Sequence, residues 1–253
     1  MNRLLGSLWV LLVVSVGPAR SAELGADQVR DILAAATPDK PADLSGKSLE
    51  SLDLSKVSFR RANLSGANLF GAKLDGADLS GANLSGARLD LAWIMRADFS
   101  DADLSNASLV GLVVSSALEN SKAEAPVFRG ANFAGAHIIA RLSRFELSGA
   151  DFTDARMAPD LRNQSMGLMR TDLSGANLAG ADFTGADLSF ALMSFANLTG
   201  AVLRGTNLTG ADLAGADLTG ADLTEADASG ADLRHAILTN ARGLDTVKGL
   251  TQR

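Results

Sequence analysis

From residue 62 the chain reads ANLSG ANLFG AKLDG ADLSG ANLSG ARLDL, and from residue 171 TDLSG ANLAG ADFTG ADLSF ALMSF ANLTG. This period of five narrows the possible folds more than any other feature. Leu or Phe recurs at 44, 49, 54, 59, 64 and onward to Leu109, with Ile at 94, and a second set of large apolar residues, including Met193, runs from Leu168 to Leu238, broken only at Ala228. Nearly every one follows an Ala placed two residues earlier. A helix repeats at 3.6 residues and a strand alternates at 2, so neither fits. A period of five implies a short extended piece followed by a turn. Leu and the Ala two before it then face inward together, and the Asp or Asn between them faces out. Ser or Thr followed by Gly suits a type II turn, whose third residue needs a positive φ. Four units make one square coil, and stacked coils bond as parallel strands.

These A(D/N)LXX units resemble the pentapeptide-repeat family, over residues 42 to 242. The resemblance implies an all-β fold: a right-handed quadrilateral parallel β-helix with short helical caps at its ends. About ten coils spaced 4.7–4.9 Å apart would give a rod of roughly 45–50 Å. One unit alone cannot bury its Leu, so stability is shared between neighbouring coils.

The period slips three times. Leu109 to Phe128 falls one position short of four units, and Ile138 to Leu147 falls one short of two. Met157 to Leu168 runs one position beyond two units. In VVSSALENSKAEAP (113–126), Glu119 and Glu124 would fall at the core phase, where carboxylates are not solvated, so an excursion loop is expected there. The expected order is a leader (1–22), an N-terminal helical cap (23–41), regular coils (42–112), irregular repeats with loops (113–167), regular coils (168–242) and a C-terminal cap (243–253). Within the first cap, Asp27 is a candidate N-cap residue, with Val29, Ile32 and Leu33 on one face and Pro38 and Pro41 as stops. In the last, Leu244, Val247 and Leu250 share the spacing of a helical turn.

Composition removes most chemistry. Without Cys there is no disulfide, thiolate metal site or thiol nucleophile, and without Tyr and with only 2 His few groups titrate near neutrality. His137 and His235 have no companion at ligand spacing. Met157 and Met166 fall at inward phases, as core filler, leaving only Met169 outward, so a soft copper site is not expected. The outward Asp rows, such as Asp172, Asp212 and Asp232, suit bonds to nearby backbone better than calcium. No nucleophile motif or phosphate loop is present. The reading is a non-enzymatic chain with no cofactor, metal or catalytic residue.

Residues 1–22 carry Arg3, an apolar run Leu8–Val16, a break at Pro18 and the small residues Ala19 and Ser21. This is a signal-peptide pattern, too short for a transmembrane helix. The expected place is the periplasm or extracellular space of a bacterium, with no stable membrane span once the leader is removed. The expected role is a scaffold that meets an unidentified protein through the residues that break the repeat outward: Glu119, Asn120, Lys122, Arg141, Arg144, Arg162, Asn163 and Gln164. The alternative comes from the resemblance, because some members bind DNA topoisomerases as acidic imitations of duplex DNA. Residues 168–242 carry nine acidic and four basic side chains, but residues 113–167 carry six of each. That is far less uniform than a phosphate array. Direct nucleic-acid binding is not expected.

Overall fold

The computed structural model describes residues 24–115, 123–160 and 169–250. The leader, Met166, and Glu119, Asn120, Lys122, Arg162, Asn163 and Gln164 lie outside the described residues. The rest is a parallel β-helix of four-sided coils. Parallel bridges join each outward residue to the one a coil later, as in Asp43↔Asn63, Asn63↔Asn83 and Asn83↔Asp103 on the first face. Along that face the outward column continues through Asn132, Asp151, Asp182, Val202 and Asp222 to Arg242. The stack is roughly 45 Å tall at the usual strand spacing.

One unit accounts for all of its N–H groups. In Asn63–Ala67, the N–H of Asn63 donates to Ala42 O (2.8 Å) and that of Leu64 to Asn83 O (2.7 Å). Gly66 donates to Ser85 O (2.8 Å), and Ala67 closes the turn onto Leu64 O (3.0 Å). The fifth N–H, on Ser65, has no carbonyl within reach and donates to the Asn63 side chain at 3.2 Å. The same bond recurs from Ser45 to Asp43, Thr184 to Asp182 and Ala214 to Asp212. The outward Asp or Asn is therefore an acceptor for its own turn, as expected of Asx geometry.

The third turn residue has φ near 60° in the regular units, including fourteen non-glycine residues such as Leu91, Phe190 and Phe195. Side chains there lean over the next coil. A Cβ on Gly215 would lie 2.6 Å from the Phe195 ring, so an aromatic at this corner requires glycine one coil on.

The inward Leu and Ala positions are essentially inaccessible along the rod, from Leu44 to Leu218. In the middle the core becomes aromatic. Phe99, Phe128, Phe133, Phe152 and Phe183 place one ring on each of five successive coils, with centroids 4.7–5.4 Å apart. These rings sit on the fourth and first faces.

The lower end is covered by α1 (Ala26–Ala34), which buries Val29 completely and packs Ile32 and Leu33 against the first coil. Its N-cap is Gly25, not Asp27: the chain enters earlier, with Gln28 Oε1 accepting the Gly25 N–H at 2.8 Å. Asp27 instead pairs with Arg30 in the first turn. The upper end is not a helix among the described residues. Thr246 N–H closes a single turn on Gly243 O, and Lys248 then rejoins the ladder by donating to Ala226 O (2.9 Å). Because the ladder still offers partners there, the extended path wins, while Leu244 and Val247 pack on the core.

The turn bonds have a pH signature. Asp217 is held below the usual carboxylate range by the Thr219 side chain and its N–H, and Asp227 by those of Ser229. Asp232 is held at about 2, mainly by the Arg234 side chain and then its N–H. Carboxylates depressed in the folded state stabilise it above their unfolded pKa and cease to do so as pH falls through the folded one. The melting temperature should therefore hold above about pH 5 and fall between about pH 4 and 2. A melt series with no drop to pH 2 would overturn the role given to these bonds.

Candidate functional site

Where the outward residue is Asp or Asn, the face is polar and the turn satisfied. The second and third faces depart from this rule most: on the second the replacements are polar, as at Arg88, Ser108, His137 and Arg156, whereas on the third several are apolar. The column of the third face reads Asp53, Lys73, Trp93, Val113, then Arg141, Asp172, Leu192, Asp212 and Asp232. Four successive members, Lys73, Trp93, Val113 and Arg141, have no carboxylate or amide to accept the turn N–H. Large apolar side chains gather around them. Trp93 is 42% exposed under the Lys73 ammonium, which lies 6.0 Å from the ring, and Leu91 is 47% exposed at the adjoining corner. Further along, Phe190 is exposed at the same corner as Leu91, and Phe195 (76%) at the opposite edge of the face.

All three slips border this face. The first is not a unit cut short. The fourth face steps from Asp98 straight to Val127, so that coil carries an insertion of nine, which leaves after Val113 at the corner between the third and fourth faces. Its neck is tied: Ser115 Oγ donates to Glu124 Oε2 (3.0 Å), and Arg96 N–H donates to Glu124 O (2.8 Å). Glu124 is thus kept out of the core, as its charge requires, and its carboxylate faces the Arg96 guanidinium at 3.8 Å. The second slip is a true deletion. Val127 pairs with Glu146, one position short of a full coil, and the missing residue lies between Ile138 and Leu142, at the corner between the second and third faces. It follows β2 (His137–Ile139), which pairs in parallel with β1 (Ser108–Val110). The third is an insertion of eleven between Arg156 and Asp172, at the same corner one coil further on.

The chain reseals this corner with one hydroxyl. In a regular unit the Leu carbonyl accepts the N–H three residues later. At Ile138 the deletion removes that partner, and at Met157 the chain departs. Thr171, fully buried at a position where the repeat has Ala, places Oγ1 2.8 Å from both Ile138 O and Met157 O, so that its single proton is shared between the two carbonyls.

The missing corner leaves a groove of about 480 Å³ lined by Gly111, Leu112, Val113, Ala140, Arg141, Met169, Arg170, Asp172 and Leu192. Glycine at 111 suits a φ of 69°, and a Cβ there would press on the tip of the exposed Leu91 side chain, 2.8 Å away. The floor is apolar and the charge is carried by Arg141, Arg170 and Asp172. The Asp172 carboxylate is engaged by the Ser174 N–H at 2.9 Å.

Of the eight residues expected from the sequence to meet a partner, the two that are described are exposed. Arg141 lines the groove, and Arg144 takes the next corner with φ 64°. Sequence reasoning favoured polar residues in the interruptions and missed Trp93, Val113, Leu192, Phe190 and Phe195. Their signal was present: an apolar residue where the unit calls for Asp or Asn, on positions that the four-unit coil brings to one face. Met157 is buried and Met169 is 54% exposed, as their phases require. Among the described residues no three His, Asp or Glu side chains converge to hold a metal ion.

A protein-family model described as pentapeptide repeats matches the chain in eight copies, over residues 42–69, 62–101, 72–111, 168–205 and 201–240. Among solved structures, HetL is a pentapeptide repeat protein involved in heterocyst differentiation regulation in the cyanobacterium Nostoc sp. It is 28% identical, with 89% of this chain and 97% of that one covered at a TM-score of 0.34. A pentapeptide repeat protein of the Arabidopsis thaliana thylakoid lumen is 28% identical over 49% of this chain and 74% of its own, with a TM-score of 0.27. Trypsin-treated QnrB1, a plasmid-mediated fluoroquinolone resistance protein, is 20% identical over 80% and 87%, with a TM-score of 0.34. The comparison with curated proteins returned no match.

The resealing role of Thr171 is testable. Thr171→Val keeps the shape and leaves two buried carbonyls without that donor, so chemical denaturation should show a loss of about 1–3 kcal/mol. Stability equal to that of the unaltered chain would reject it.

Proposed function

Because this chain belongs to the pentapeptide-repeat family, we propose that it is an exported, non-enzymatic rod that binds another protein through its third face. The observation that carries this reading is one of position. Two insertions, one deletion and most of the exposed large apolar side chains border the same one of four faces. Contiguous exposed apolar surface with a polar surround marks an interaction site on a folded chain. Loops in a solenoid commonly gather on its binding side. A right-handed coil sense follows from the family resemblance.

Export rests on the leader pattern of residues 1–22, which directs the chain to the periplasm or extracellular space. No described helix is long and apolar enough to cross a membrane. The alternative, an acidic rod imitating DNA toward a topoisomerase, has less support. Lys73 and Arg141 interrupt the acidic column on the third face and Arg170 lies beside it, whereas duplex DNA carries one negative charge per ~1.7 Å.

Two experiments decide the matter. Protein recovered from the periplasm should begin near Ala22 or Glu23, and an intact Met1 in the cytosol would overturn export. A photo-crosslinking residue at Trp93 or Leu192 should capture one and the same protein in living cells, while one at Asn83, exposed on the first face, should capture none. Equal capture from both faces, or none from the third, would refute the assignment of the surface.

A further inference from the structure

The reading of the third face as a binding surface leaves its partner's chemistry open, and the groove at the missing corner narrows it. Resting on that reading, we infer that this groove takes a protein segment carrying one bulky apolar side chain beside acidic residues. Three observations converge. The floor is small and apolar, made by Leu112, Val113, Ala140 and Leu192, and a space of about 480 Å³ admits one or two large side chains. The charge around it runs against the rest of the molecule. The whole chain carries a formal charge of -6, yet the described lining of the groove holds two cations, Arg141 and the exposed Arg170, and one carboxylate, Asp172, which accepts the Ser174 N–H of its own turn. Beyond the groove the same face continues as Asp212 and Asp232. An acidic segment is therefore drawn to the middle of the face and repelled from its upper part, which fixes its register. Finally, Met169 at the edge is 54% exposed, and an unbranched thioether adapts to an incoming apolar group.

The test uses the full mature chain and three labelled octapeptides with blocked termini, followed by fluorescence anisotropy. One carries Phe among Asp residues, one Phe among Lys, and one Ser among Asp. The first should bind, and each of the others should bind about tenfold more weakly or less. Arg170→Glu, at an exposed position, should leave the melting temperature unchanged, and combined with Arg141→Glu it should weaken the Asp–Phe peptide about tenfold and favour the Lys–Phe peptide. Equal binding of all three peptides, no binding of the first, or indifference to the double substitution would overturn the inference. So would binding of phosphatidylglycerol vesicles in place of the peptide, or dimerisation of the chain, lost on Leu192→Glu, that occludes the groove. If crosslinking from Trp93 and Leu192 still captures a protein while the peptides fail, the partner chemistry is wrong and the surface stands. If both fail, the surface falls too.

Discussion

The rod rests on one unmet hydrogen bond in every five residues. A coil that turns four times must place four N–H groups where no carbonyl of a neighbouring coil reaches, and stacking cannot provide the missing acceptors. The Asp or Asn between Ala and Leu meets this need from within the unit, as Asn63 does for Ser65. That is why the outward position, free in most β structures, favours Asp and Asn here. The pattern that looks like surface polarity is backbone satisfaction, in the sense that buried or half-buried N–H groups must find a partner.

The same constraint makes the departures informative. Trp93, Val113 and Leu192 each give up the turn acceptor in exchange for an apolar group on the outside, where burial within the chain cannot compensate them. Such a substitution is locally unfavourable, and three of them on one face are consistent with a gain that lies outside the folded monomer. The deletion after Ile138 and the exit after Met157 likewise leave carbonyls without turn partners, and Thr171 meets both.

Most of the fold was legible in the sequence because a period of five has few physical solutions. The inward Leu and Ala, the turn glycines and the site of the single deletion between Ile138 and Leu147 all follow from phase alone. Other features did not. The interval from Leu109 to Phe128 reads equally as four units less one position or as an insertion of nine, because both preserve phase, and only the pairing of Asp98 with Val127 separates them. The cap at Gly25 was hidden by Asp27, the better capping residue by type, because chain entry is set by packing on the first coil. The groove was invisible for a similar reason. It is made by the absence of a corner residue, and composition does not register an absence.

The five-ring aromatic stack lies along the fourth and first faces, diagonally across the coil from the corner that is cut and interrupted. In a solenoid each coil touches only its neighbours, so the irregular coils are a series link between the two regular halves. A weak link there would divide the molecule into two separately melting rods. Phe99 to Phe183 spans that link with one ring per coil on the side opposite the deleted corner, so the edge that lost regularity is backed by a continuous spine. The interrupted side is free to vary in sequence and shape while the two halves remain one cooperative body.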